Sequence, residues 1–308
     1  MKRKNFITLG TFDGLHIGHR YLFGRLETLA VRYLQKPLAL YFPLPPKTLL
    51  STHPEMTVLS TPAEKKHLFK TVGLDAQPLD FAQCRNQQPQ DFFENVLLQK
   101  YQMGGLIVGQ DFAFGKDRQG DTDFLRRACE QHAIPFEVAG FYQFAGQKVS
   151  SSLIRKTLAM GDIERVNEML GRPYELTGTV VPGHKLGRKL GFPTANLDTG
   201  IFKILPLGVF AVKVRVGRRY YDGFCNIGFR PTVNTIHSCL PLVEVNIFDF
   251  HQSIYGRKIT IWFAGKLRDE TKFNGLDALV AQLKKDRTEA RALLKDTPGM
   301  PPQNGIYP

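Results

Sequence analysis

Gly10-Thr11-Phe12-Asp13-Gly14-Leu15-His16-Ile17-Gly18-His19 decides how the first half of this chain is read. A short apolar run, Phe6-Ile7-Thr8-Leu9, precedes it and reads as a buried strand. Leu22, Leu26, Leu29, Ala30 and Tyr33 follow at helical spacing. The segment is therefore a strand, a tight glycine-containing turn and a helix N-terminus. Unpaired N–H groups and the helix dipole favour an anion at such a point. His16 and His19, three apart, share one face of a helix that begins near them. Two imidazoles and open amides together suit a polyphosphate whose charge grows during reaction.

Working outward, Pro37-Leu38-Ala39-Leu40-Tyr41-Phe42 reads as a second strand, stopped by Pro43, Pro45 and Pro46. Helices are expected over residues 62–72 and 91–101, and short buried strands over 105–109 and 136–138. Strands alternating with helices imply a parallel α/β sheet, with ligands at the carboxyl ends of its strands. After Ser150 the pattern changes. Two helices, each closed by a glycine (Gly161, Gly171), lead into strand-like runs at 175–181, 208–216, 242–247 and 258–263. That succession predicts an antiparallel barrel or sandwich, followed by an amphipathic helix over 276–294. The expected domains are residues 1–170 and 171–296, with a disordered tail over 297–308.

A length of 308 residues suits two domains, and 43% hydrophobic content is ample for two packed cores. The net charge of +13 favours anionic partners: nucleotides, nucleic acid or acidic membranes. The basic residues are scattered, which ranks nucleotide binding above a nucleic-acid surface; no stable nucleic-acid partner is expected. Cys84, Cys129, Cys225 and Cys239 form no C-x-x-C pair, so reduced thiols of a cytoplasmic protein are expected. Met1-Lys2-Arg3-Lys4 looks like the start of a signal peptide, but the apolar stretch soon meets Asp13, so export is not expected. No run approaches bilayer-spanning length, so no membrane partner is expected. Monomer and homo-oligomer both fit.

His16-Ile17-Gly18-His19, between strand and helix, resembles the signature of the nucleotidylyltransferase superfamily. In that family the two histidines hold ATP phosphates while another group attacks the α-phosphorus and pyrophosphate leaves. Class I aminoacyl-tRNA synthetases share the spelling but carry a later Lys-Met-Ser-Lys loop that this chain lacks. In its place stands Ser150-Ser151-Ser152-Leu153-Ile154-Arg155, similar to the signature of small adenylyltransferases. The resemblance implies catalytic roles for His16, His19 and Arg155. It also implies ATP phosphates near Gly10, Phe12, Asp13, Gly14, Gly18, Ser151 and Ser152. Val108-Gly109-Gln110-Asp111-Phe112-Ala113-Phe114-Gly115-Lys116 looks like the flavin loop of the prokaryotic bifunctional riboflavin kinase/FAD synthetases, which makes Asp111, Phe112 and Phe114 candidate flavin contacts.

Gly187-Arg188-Lys189-Leu190-Gly191-Phe192-Pro193-Thr194-Ala195-Asn196 resembles the riboflavin kinase signature. Glycines let backbone approach phosphates, and Thr194 and Asn196 offer hard oxygens on one side of an extended segment. The resemblance puts Gly187, Arg188, Gly191 and Pro193 at ATP and gives Mg2+ to Thr194 and Asn196. Glu244, in an otherwise apolar run, can act as a base if burial raises its pKa; the resemblance makes it the catalytic glutamate for the ribityl 5′-hydroxyl. Asn226-Ile227-Gly228-Phe229-Arg230-Pro231-Thr232 looks like a family loop at the nucleotide, and Leu267-Arg268-Asp269-Glu270 like a flavin-side loop with Arg268 as the contact.

The resemblance covers about residues 5–294. It implies a Rossmann-like nucleotidylyltransferase domain followed by an antiparallel riboflavin kinase-like β-barrel with a C-terminal helix. The implied activity is phosphorylation of riboflavin to FMN, then adenylylation of FMN to FAD, with ATP as donor and Mg2+ as cofactor. Two other readings are a riboflavin kinase whose first domain is structural, and a non-catalytic flavin- or RNA-binding protein. Two departures stand out. The family's Phe-Glu/Asp-Pro-His-Pro is here Phe42-Pro43-Leu44-Pro45-Pro46, and Asn246 stands where the family commonly has histidine.

Overall fold

The apolar run ahead of the histidines forms β1 (Asn5–Gly10), at the centre of a five-stranded parallel sheet. This computed structural model describes residues 3–50, 57–183, 186–200, 203–229, 241–295 and 297. The chain divides into two compact units that part between Ser151 and Ser152.

In the first unit β1 is flanked by β2 (Lys36–Tyr41), then β3 (Ala76–Pro78), on one side, and by β4 (Met103–Gly109), then β5 (Phe136–Ala139), on the other. Strands alternate their side chains, and the two faces fill two cores. Phe6, Ala39, Tyr41 and Ile107 pack with Leu22, Phe23 and Leu26 of the first helix, Ile17–Arg32, and with Leu68 and Phe69 of Pro62–Thr71. Ile7, Leu9, Leu38, Leu40 and Val108 pack with Phe93 and Leu97 and with Leu125 and Cys129. Fully burying one such side chain contributes roughly 1.5–3 kcal/mol. Phe92–Lys100, expected as α-helix, is wound as a π-helix that ends in a 3.0 Å bond from Tyr101 N to Val96 O. A small hairpin, β6 (Gln143–Phe144) and β7 (Gln147–Lys148), follows β5.

The sheet order β3-β2-β1-β4-β5 puts the reversal of strand order between β1 and β4. A crevice opens at the carboxyl ends of strands at such a switch point. Thr8 pairs with Ile107, so β1 and β4 release the Gly10 and Gly109 loops at the same end. Both motifs of the first unit therefore leave adjacent strands side by side.

The second unit holds two helices, Ser151–Ala159 and Ile163–Leu170, then a closed barrel. Its strands are β8 (Glu175–Val181), β9 (Thr194–Asp198), β10 (Gly208–Val216), β11 (Arg219–Gly228), β12 (Leu242–Ile247) and β13 (Lys258–Arg268). They close in the order β10-β11-β12-β9-β8-β13, every neighbour antiparallel. The final helix, Leu276–Lys295, lays Ala290 and Leu294 on Phe192, Val209, Ala211, Phe224 and Phe248. Asn167 binds Ile163–Leu170 to the barrel by donating to Phe263 O at 2.9 Å and accepting from Tyr174 N at 2.7 Å. Glu164 Oε1 accepts from Lys266 N at 2.8 Å. Both helices after Ser150 thus belong to the barrel's compact unit. Two strands differ from the sequence expectation. β9 coincides with Thr194-Ala195-Asn196, and Asn226-Ile227-Gly228, expected as loop, is the end of β11. Arg230, Pro231, Thr232, Cys239 and the tail from Pro298 lie outside the described residues.

Candidate active sites

His16 is the N-cap of the first helix; its Nδ1 accepts from His19 N at 3.4 Å and its ring stacks on that of His19, centroids 3.6 Å apart. The loop before it carries strain: Phe12 and Leu15 have φ of 45° and 37°, with Gly14 at 80° between them. Each such non-glycine residue costs about 1–3 kcal/mol and persists only when its surroundings over-determine it. They do so here. Phe12 is buried against Phe23 and Phe69 and meets the His19 ring edge-on at 5.2 Å. Asp13 is buried and accepts from Leu59 N and Ser60 N, both at 3.0 Å, while Gly14 N donates to Ser60 Oγ at 3.0 Å. Phe12 and Asp13 therefore face inward and brace the loop. Gly18 packs against His16, where an added Cβ would lie 3.2 Å from the ring. At Gly10 a Cβ would lie 3.0 Å from the Phe12 ring.

Lys65 is the site residue that sequence reading missed. It is fully buried, and its Nζ donates to Thr11 O at 2.7 Å and Phe42 O at 2.9 Å, joining the loops that leave β1 and β2. Burial lowers its pKa to about 8, against the opposing field of Asp13. A signal existed: Lys65 falls at helical spacing with Leu68 and Phe69, on the apolar face of Pro62–Thr71.

Ser151 Oγ donates to Asp13 O at 2.9 Å, which ties the start of the serine motif to the histidine loop. Ser152 and Arg155 belong to the second unit, with Arg155 NH2 3.5 Å from Ser152 Oγ. Beyond β4, Asp111 is exposed and paired with Lys148 at 2.9 Å. Phe112 and Phe114 stack at 5.7 Å, half-buried, and Phe114 continues onto Phe92 and Phe124. A 620 Å3 apolar groove lined by Pro43, Leu44, Leu50, Leu79, Phe81 and Arg85 lies beyond β2 and β3.

In the second unit a 400 Å3 cavity is lined by Gly187, Thr194, Asn196, Asn226, Glu244 and Arg268, among others. Strand register explains the gathering. Asn226 on β11 pairs with Glu244 on β12, which pairs with Asn196 on β9. Directly opposed residues of antiparallel strands point to the same face, so three polar side chains form one row across three strands. Thr194 is two residues from Asn196 on the same face. Gly187 closes the approach: it accepts from Phe192 N at 2.8 Å, and a Cβ there would lie 2.3 Å from Phe192 O. Gly191 has φ 80°. Arg188 and Pro193 line a separate 70 Å3 hollow, which Thr194 also borders.

Arg268 is committed to the protein. Its Nε and NH2 donate to the two oxygens of the fully buried Asp286, at 2.9 and 2.8 Å, and Gln282 donates to the same carboxylate at 2.8 Å. Glu270 sits over Gly228 with one oxygen 3.4 Å from Asn226 Nδ2. Asn196 Oδ1 is buried with no hydrogen-bond partner among the described residues. An oxygen in that state beside a threonine hydroxyl fits a hard divalent cation, which takes few protein ligands and keeps its waters. Burial raises the Cys225 thiol pKa, with Glu244 adding to the rise, and pushes that of Cys129 up to about 12. With the buried Cys84, these are free thiols of the interior.

Residues 1–153 match the FAD synthetase family and residues 170–294 the riboflavin kinase family. A bifunctional riboflavin kinase/FMN adenylyltransferase of Bacillus subtilis is 34% identical over 93% of this chain and 92% of its own. That of Haemophilus influenzae is 34% identical over 93% of each. A solved structure described as a macrolide-efflux protein from Streptococcus pneumoniae superposes with a TM-score of 0.84 at 30% identity, covering 94% of this chain and 95% of that one. Among the described residues, no helix is long and apolar enough to cross a membrane.

Proposed function

The chain belongs to the bifunctional riboflavin kinase/FMN adenylyltransferases, and on that premise we propose how its residues divide the two reactions. Residues 171–296 phosphorylate riboflavin. Glu244 takes the proton of the ribityl 5′-hydroxyl as that oxygen attacks the γ-phosphorus of ATP, and ADP leaves. Asn226 and the backbone around Gly187, Arg188, Gly191 and Pro193 orient the nucleotide. Thr194 and Asn196 hold Mg2+, which when bound neutralises charge on the phosphates. Arg268, fixed by Asp286, presents its remaining face to the flavin. The observation that carries this reading is the Asn226–Glu244–Asn196 row on one face of the barrel, lining a cavity of flavin-accommodating size.

Residues 1–170 adenylylate the product. A phosphate oxygen of FMN attacks the α-phosphorus of a second ATP and pyrophosphate leaves. His16 and His19, with Gly10, Gly14, Gly18 and Ser151, stabilise charge on the phosphates. Asp111, Phe112 and Phe114 meet the flavin, while Phe12 and Asp13 act by holding the loop. The enzyme works in the cytoplasm on small molecules, without a nucleic-acid or membrane partner; buried free thiols support that setting.

Purified protein incubated with riboflavin, ATP and Mg2+ is expected to yield FMN and then FAD on chromatographic separation. Glu244→Ala abolishes FMN formation while FMN is still converted to FAD; His16→Ala does the reverse. FMN without FAD in the wild type points to a structural first domain. Loss of both steps in either folded variant overturns the division of labour.

A further inference from the structure

The final helix sends two consecutive side chains to different partners in the barrel. Asp286 holds Arg268, as described. Arg287 goes the other way, its NH2 3.4 Å from Asn246 Oδ1 and its guanidinium carbon 4.7 Å from the Phe192 ring centroid and 5.5 Å from that of Phe248. Asn246 is fully buried, and its Nδ2 donates to Pro193 O at 2.8 Å.

Chemistry fixes which way that amide points. Pro193 O only accepts and a guanidinium only donates, so Nδ2 must face the first and Oδ1 the second. The carbonyl that Asn246 holds belongs to the peptide leading into Thr194, and Asn246 is also the registered partner of Thr194 across β12 and β9. On the other side, Phe192 is bonded to Gly187. The Phe192-Pro193-Thr194 backbone is therefore gripped from both ends, and a rotation of the Pro193–Thr194 peptide would re-aim the Thr194 hydroxyl against the ladder-held Asn196.

We propose that Asn246 and Arg287 are positioning residues for metal-nucleotide binding in the kinase domain: Asn246 sets the Pro193–Thr194 peptide, and Arg287 locks the Asn246 amide. This rests on Thr194 and Asn196 being the metal-holding residues. A neutral imidazole at position 246 has one donor and one acceptor and can make the same two bonds. Aspartate keeps the acceptor for Arg287 and loses the donor for Pro193.

The test uses the full chain and Mn2+ as probe, with Mn2+·ADP binding followed by electron paramagnetic resonance. Nucleotide sites in the first domain act as an internal reference. Asn246→Asp is expected to weaken one class of Mn2+·ADP sites about 10-fold, the usual size for outer-shell partners. It also raises the Mg2+ needed for half-maximal FMN formation, with FMN-to-FAD conversion unchanged. Asn246→His is expected to bind like the wild type, and Arg287→Met to show a smaller weakening of the same class. A folded Asn246→Asp protein that binds Mn2+·ADP like the wild type overturns the inference, as does Asn246→His failing in the same way as Asn246→Asp. If Asn246→Asp does not fold, Arg287→Met decides alone: wild-type binding overturns the proposal. Thr194→Ala with Asn196→Ala separates the two levels. If that pair leaves binding intact, the metal assignment fails; if it weakens binding and Asn246→Asp does not, only the positioning role fails.

Discussion

Lys65→Met tests whether the loops that leave β1 and β2 are built around a buried cation. Lys65 is fully buried, and its pKa falls from the ordinary 10.5 to about 8 because burial disfavours the ammonium. That difference of about 2.5 units, at about 1.4 kcal/mol each, is on the order of 3 kcal/mol. The sign follows from proton counts. Below pH 8 both folded and unfolded chains carry the proton, and the folded state bears the whole cost. Between about 8 and 10.5 only the unfolded chain is protonated, so folding stability rises with pH. Above 10.5 the cost is gone. Methionine does not titrate, and it leaves Thr11 O and Phe42 O without their donor, at about 1–3 kcal/mol each. Near pH 7 that loss and the relief from burying a charge are of similar size and opposite sign. The variant is therefore expected to sit within a few kcal/mol of the wild type at neutral pH and to fall behind by about 3 kcal/mol more at pH 10.5. Urea unfolding followed by far-ultraviolet circular dichroism at pH 7.5, 9 and 10.5, with both proteins side by side, reads the difference directly. FMN-to-FAD conversion falls while riboflavin phosphorylation stays. A wild-type-minus-variant difference that is flat across that window refutes the buried-ammonium account.

Arg268→Met strands the Asp286 carboxylate in the interior and is expected to cost about 3–5 kcal/mol in the barrel's unfolding transition, most of it recovered by Arg268→Met with Asp286→Leu. Gly187→Ala puts a methyl 2.3 Å from Phe192 O and should cut FMN formation by at least 10-fold with FAD formation from FMN unchanged; chromatography of both products checks it.

The framework of both domains is legible from patterning because burial dictates it. Short apolar runs became β1, β2, β4, β8, β10, β12 and β13, helical spacing found Ile17–Arg32 and Leu276–Lys295, and start and stop residues found Pro62–Thr71. β9 and β11 were hidden for the reason that makes them important. Thr194-Ala195-Asn196 carries polar residues where a core strand normally has apolar ones, so it reads as a motif loop until the barrel's hydrogen bonding claims it. The residues named by motif do not all face outward. Phe12 and Asp13 carry the spelling of a phosphate loop while their side chains point into the protein. Asp286 and Arg287 escaped because each acts through a partner distant in sequence, and one chain read alone does not encode that pairing; Lys65 was marked only by its place on an apolar helix face.

The two units arrive at phosphate chemistry by opposite architectural routes, and the difference predicts where each tolerates change. In the first, groups collect because β1 and β4 end together at the switch point, so the site is made of loops whose strain is held by Asp13, Ser60 and Lys65. In the second, they collect because Asn226, Glu244 and Asn196 share a register row, so rigid ladder hydrogen bonds fix their spacing. A one-residue slip of β12 would turn Glu244 from one barrel face to the other. Asn246, two residues along the same strand and bonded to Pro193, opposes that slip while it aims Thr194. Departures such as Phe42-Pro43-Leu44-Pro45-Pro46 fall in the loop-built site, where Lys65 holds the Phe42 carbonyl whatever side chains follow it. The strand-built row has no such latitude, because the ladders of three strands fix its spacing.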